Sequence, residues 1–163
     1  MAINTPRVIV RNHVKTTLEG IGPANDYGTD VKIVEIQRRT LQDWKRSELP
    51  AIIVVPGDED AYRDETLGQN QANRHFRAWN MALVLLLDDT GTSVDTLRDV
   101  GEAFVADVEH RLITSRFANN GMPSDIRIGK LTSNEFELIE NKLFGFEMNI
   151  IVRYDHRVED LIP

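Results

Sequence analysis

Apolar residues recur along this chain at two periods, one helical and one of strand type. Val10, Val14, Leu18 and Ile21 follow one another at helical spacing and form a single stripe. Thr5 stands where a helix is capped, and Pro6 sits at the first helical position, where a missing N–H costs nothing. Gly20 and Gly22-Pro23 interrupt the pattern, so the spacing predicts a helix over residues 5–20. A second stripe, Leu97, Val100, Phe104, Val108 and Leu112, predicts a helix over 93–114. Ser93 would cap it, and Asp95 in its first turn and Arg111 in its last both suit the helix dipole.

Between and after the helices the period changes to two. Val31 to Gln37 reads as a strand. Ala51-Ile-Ile-Val-Val55 lies between Pro50 and Pro56, a short strand with a hard stop at each end. Phe76 to Leu87 is the longest apolar strand. Trp79, Met81, Leu83, Leu85 and Leu87 fall on one face, and Phe76, Ala78, Ala82, Val84 and Leu86 on the other with Asn80. Ile126 with Ile128 suggests one short strand and Phe136 with Leu138 another. Phe144 to Tyr154 alternates most cleanly of all. The predicted order is α-β-β-β-α-β-β-β in one α+β domain spanning residues 1–163. Its sheet is mostly antiparallel and packed by two long helices, because strands joined without helical crossovers pair antiparallel.

The strand 76–87 is apolar on both faces, so both need cover. Two helices of an α+β layer usually share one face. The second face then calls for a twisted-over part of the same sheet or for another subunit.

Residues 56–74 break both periods. The stretch PGDEDAYRDETLGQNQANR holds five acids and two arginines, and a loop this long in a compact domain is uncommon. It reads as a protruding loop, or as a hairpin turning at Leu67-Gly68-Gln69-Asn70. Asp58, Glu59, Asp60, Arg63, Asp64, Glu65 and Arg74 are the candidate interface or lumen residues, since a packed core would not hold five unpaired carboxylates cheaply.

Composition narrows the chemistry. The chain of 163 residues has no Cys, which removes disulfides, thiolate nucleophiles and Cys-based metal sites. Its formal charge is −7, and no basic face of the kind a DNA binder carries is visible. Met1-Ala-Ile-Asn-Thr-Pro-Arg7 lacks the regions of a signal peptide, and the run Met81–Leu87 is too short to cross a membrane. Asp88-Asp89 reads as a turn before a helix rather than a metal pair. His13, His75, His110 and His156 make no metal or catalytic spacing, and Asp155-His156 reads as a solvated strand end. The glycines make no phosphate loop: Gly20-Ile-Gly22 follows a helix instead of opening one. Trp44-Lys45-Arg46 reads as a surface turn rather than a nucleic-acid contact. Asp58-Glu59-Asp60 is contiguous, unlike the alternating ligands of a calcium loop. No cofactor or metal is expected.

Several phrases nevertheless resemble one family. They are Leu49-Pro-Ala-Ile-Ile-Val-Val-Pro-Gly-Asp-Glu59 after an N-terminal helix, the strand ending Leu85-Leu-Leu-Asp-Asp89, the helix with Asp99, Val100 and Val108-Glu109-His-Arg-Leu112, and the closing Gly145-Phe-Glu-Met-Asn-Ile-Ile-Val-Arg-Tyr154. Together they resemble bacteriophage tail terminators, the tail-completion or minor tail proteins of the lambda type. The resemblance implies a non-enzymatic virion subunit, assembled in the host cytoplasm and sited at the head–tail junction. Such a subunit forms a homo-oligomeric ring, usually a hexamer, that caps the tail tube and ends its polymerisation. Its implied partners are the tail tube protein and a head–tail connector or neck protein, with a sheath in contractile tails. DNA passes through the lumen without specific binding, and no membrane is involved. Two rival readings remain: another phage neck or tail-tube component, and, from a different class, a metal-dependent hydrolase using Asp58, Asp60, Asp88 or Asp89.

Overall fold

The computed structural model describes residues 5–36, 43–61, 74–88, 94–115, 125–137 and 142–157. Helix α1 spans Pro6–Glu19, with the Thr5 hydroxyl accepting a hydrogen bond from the Val8 amide. Strands β1 (Ile33–Ile36), β2 (Ala51–Ala61) and β3 (Arg74–Asp88) follow, then α2 (Val94–Thr114), β4 (Asp125–Glu137) and β5 (Lys142–Arg157). The protein is α+β, with one five-stranded sheet ordered β1-β2-β3-β5-β4. The sheet is mixed: β1 runs parallel to β2, and the three other pairings are antiparallel. Of the strand predicted over Val31–Gln37, Ile33–Ile36 is strand, Val31 and Lys32 are not, and Gln37 lies outside the described residues.

Both helices lie on one face of the sheet. Val10, Val14 and Leu18 of α1 and Leu97, Phe104, Val108 and Leu112 of α2 pack with Ile52, Val54, Met81, Leu83, Leu85, Met148, Ile150 and Val152 in a single core. Val100, expected in the α2 stripe, is instead 47% exposed, and Val105 takes an inward place. The reason is Gly101. A Cβ there would lie 2.1 Å from Phe146 Cε2, so α2 comes closest to the sheet along the Gly101–Phe104–Val105–Val108 line, and Val100 is turned off it.

Two expectations about strands are corrected. Pro56 does not stop β2, which continues to Ala61. Proline is tolerated at a bulge, and Pro56 stands at one. The β2–β3 register shifts between Pro56 and Glu59. Residues 56–61 and 74 are therefore strand and not loop; the turn proposed at residues 67–70 lies outside the described residues. The two short strands expected around Ile126 and Phe136 are one strand, β4. Its register shifts between Ile128 and Leu131, so the positions on the helix side of the sheet change from even (Ile126, Ile128) to odd (Leu131, opposite Met148), and the alternation looks broken in the sequence.

The other face of the sheet has a smaller cluster. Trp44 and Leu49 cover Ala51, Ile53, Leu86 and Leu143. Trp44 is 3% exposed, which corrects its reading as part of a surface turn; its neighbours Lys45 and Arg46 are exposed.

Candidate functional site

The bulge in β2 decides what the acidic segment does. Before it, Ile52 and Val54 point toward the helices and Ala51 and Ile53 away. The strand then spends three residues against two of β3, pairing Pro56 with Met81 and Glu59 with Trp79. The shift turns Glu59 inward, onto the helix side. Asp58 and Asp60 remain exposed.

Glu59 is thereby part of the fold. Its side chain is 8% exposed and is held from two sides: Tyr154 donates its phenolic hydrogen to one carboxylate oxygen, and the Arg7 guanidinium, itself 57% exposed, pairs with the other. Arg7 also lies over the Trp79 ring, 5.4 Å from its centroid. The Trp79 indole N–H donates to the Gly57 carbonyl at 2.9 Å, so the bulge backbone is satisfied by the residue it faces. Gly57 fits because a Cβ there would stand 3.0 Å from the Asn80 carbonyl oxygen. Burial first, and then the hydrogen bond and negative charge of Glu59, push the Tyr154 hydroxyl well above the usual tyrosine range. Tyr154 is therefore a neutral donor, unsuited to act as a base.

The other expected residues divide accordingly. Arg63, Asp64 and Glu65 lie outside the described residues. Arg74 opens β3 opposite Arg157, with its side chain outside the described part. Asp88 ends β3, half-buried, with Arg46 Nε at 3.8 Å. Asp60 pairs with Ala78, ten residues before Asp88 on the same strand, or roughly 33 Å at strand rise. Asp58 and Asp60 cannot share an ion with Asp88, and among the described residues no group of three His, Asp or Glu could hold a metal. The histidines are similarly dispersed. His13 lies on α1 and His110 on α2, while His75 and His156 are register partners on β3 and β5. Sequence reasoning missed Tyr154 and Arg7 as partners of Glu59; only a bulge foreseen between Pro56 and Glu59 would have found them.

The remaining feature is the sheet face opposite the helices. Val55, Phe76, Ala78, Ala82, Val84 and Ile151 are half-buried there. Among the described residues, only the Trp44–Leu49 stretch packs on this side, at the β1–β2 end. No described helix is long and apolar enough to cross a membrane. Compared with family models and with curated proteins, the sequence matches none.

Proposed function

We propose that this chain is a structural, ring-forming subunit of a phage tail, of the tail-terminator kind, which caps the tube and offers the joining surface to the head. The observation that carries the assembly half of this reading is the sheet face that the described residues cover only in part, with its half-buried row of Val55, Ala82, Val84 and Ile151. A sheet with one face packed and the other apolar but half-open suits association with further protein. The phage half rests on the resemblance of the Leu49–Glu59 and Gly145–Tyr154 phrases. In this reading the acidic chain, at −7, leaves DNA mobile in the lumen, because productive binding needs Lys and Arg to displace counterions.

Two measurements test it. Sedimentation velocity over a wide concentration range should show a closed oligomer. Negative-stain imaging of the protein mixed with tail tubes should show rings seated on tube ends. A monomer at every concentration, with bare tube ends, would overturn the proposal.

A further inference from the structure

Arg77 stands beside the Glu59 arrangement without being used by it. It precedes Trp79 by two residues on β3, which places both on the helix side of the sheet. Its register partner on β5 is Tyr154, just as Glu59 on β2 is the partner of Trp79. Directly opposed residues of antiparallel strands stand about 4.5–5.5 Å apart at Cβ, so Arg77 lies against Tyr154. Burial and Glu59 raise the Tyr154 pKa, and the nearby Arg7 and Arg77 cations offset part of that rise. Arg77 is half-buried, yet it makes no hydrogen bond or ion pair with a described residue. Glu59 does not serve it, because Tyr154 holds one of its oxygens and Arg7 the other. Asp60, the next residue of β2, alternates to the other side of the sheet and is exposed. Among the described groups on the helix side of this corner, two guanidiniums therefore face one carboxylate, and one positive charge is left over.

We propose that Arg77 and Arg7 together hold one oxyanion, the carboxylate or phosphate group of a small ligand, at the corner where α1 begins over the β2–β3 pair. A guanidinium presents its N–H donors in a planar fork that matches either group. Arg7 is 57% exposed and engages a single Glu59 oxygen through Nε and Nη2, which leaves Nη1 for a ligand. Arg77 has its whole fork to give. Arg7 also lies in the first turn of α1, where the helix dipole favours negative charge. Tyr154 gives its hydrogen to Glu59 and is neutral, so the ligand must bring the compensating charge itself. One surplus charge, beside the exposed Asp58 and Asp60, suits a single small group. It does not suit the phosphate array of DNA, which needs several cations at once. The site goes beyond the ring reading and does not depend on it.

The test follows the arginine Nε–H signals of the full chain by two-dimensional NMR. Ionic strength is held constant while chloride is exchanged for inorganic phosphate in one arm and for acetate in the other. At least one arm should give a saturable shift at Arg77 and Arg7 that is missing at the exposed Arg127. The arm that saturates at the lower concentration names the group as phosphate or carboxylate. Arg77→Gln, read at Arg7, should bind roughly ten- to a hundredfold more weakly. Arg77→Lys keeps the charge without the fork and should fall between the two. Without ligand, Arg77→Gln should unfold at the parent's temperature, because no described bond is lost. The bound anion should raise the midpoint of the parent more than that of the variant. Should Arg77→Gln fail to fold, Arg77→Lys must still bind more weakly than the parent. Shifts that never saturate in either arm, shifts of equal size at Arg127, or parent-like binding by the folded variants would overturn the site. The ring reading would stand untouched by any of these results.

Discussion

Tyr154 on β5 reaches across β3 to donate its hydroxyl hydrogen to Glu59 on β2, a bond between residues 95 positions apart. It ties together three strands at the end of the sheet where α1 begins, and Arg7 closes the arrangement from that helix. Replacing Glu59 with Ala leaves the buried Tyr154 hydroxyl without its acceptor, which costs about 1–3 kcal/mol. The exposed Arg7 adds little to this, being screened by solvent. Thermal unfolding of the Glu59→Ala variant should fall by roughly 2–4 °C for each kcal/mol lost. Asp58→Ala and Asp60→Ala should leave stability within about 0.5 kcal/mol of the parent. Equal effects at all three positions would show that the bulge does not set Glu59 apart.

His13 lies on α1 with its Nε2 buried and without a hydrogen-bond partner among the described residues. Burial lowers its pKa from the usual 6.5, and the hydrogen bond with the Ser115 backbone only partly offsets this. The folded state therefore binds the proton less readily than the unfolded chain. Stability from this group is complete above the unfolded value of 6.5 and is lost as pH falls from there through the lowered folded value. Urea midpoints measured between pH 8 and pH 5 should decline below 6.5 in the parent. The decline should be shallower in His13→Gln, and an identical slope in both proteins would rule His13 out as its source.

Much of the architecture can be read from periodicity, and the misreadings of β2 and β4 share one cause. Thr5-Pro6 and the Val10–Leu18 stripe mark α1 because capping and helical spacing are local. The strict alternation from Phe144 to Tyr154 marks β5 for the same reason, since that strand has no register shift against β3. Bulges are not local in this sense. An extra residue at Gly57 or Gly129 exchanges inward for outward positions, so a strand looks like a loop in β2 and like two strands in β4. Glu59 was hidden by that exchange, standing between two acids that do face solvent. Trp44 was hidden differently: its cover for Leu86 and Leu143 comes from strands far along the chain, which no window around Trp44 contains.

Gly101 gives a direct test of the contact between α2 and the sheet. Alanine is the better helix former, by about 1 kcal/mol in a helix interior. An added Cβ, however, would lie 2.1 Å from Phe146 Cε2 and 2.6 Å from Cζ, and Phe146 is itself only 4% exposed. Overpacking of a close-packed core costs typically about 1–3 kcal/mol. Gly101→Ala should therefore be net destabilising despite the propensity gain, whereas Val100→Ala, on the exposed shoulder, should stay within about 0.5 kcal/mol of the parent. A stabilised Gly101→Ala protein in chemical denaturation would mean that the helix stands further from the sheet than described.

Arg111 joins the two helices at the other end of the molecule, and its role is separable by a double-mutant cycle. Its Nε–H donates to the Thr17 carbonyl at 2.9 Å, satisfying a backbone acceptor in the last turn of α1 with a cation, the charge that the helix C-terminus favours. The guanidinium also lies 5.9 Å from the Tyr27 ring centroid. Gly20 leaves room for it: a Cβ there would stand 2.3 Å from Nη2. The backbone at Gly20 has φ −81°, a value alanine adopts without strain, so the whole cost of Gly20→Ala must pass through Arg111. Arg111→Ala should cost about 1–2 kcal/mol through the lost charged hydrogen bond. Gly20→Ala should destabilise the parent by displacing the guanidinium from Thr17. In the Arg111→Ala background the same change should be neutral or slightly stabilising, because alanine there only restricts the unfolded chain. The cycle measured by urea unfolding should give a coupling on the order of 1 kcal/mol. Strict additivity would mean that Gly20 does not make room for Arg111, and that the close approach of the two helices has another cause.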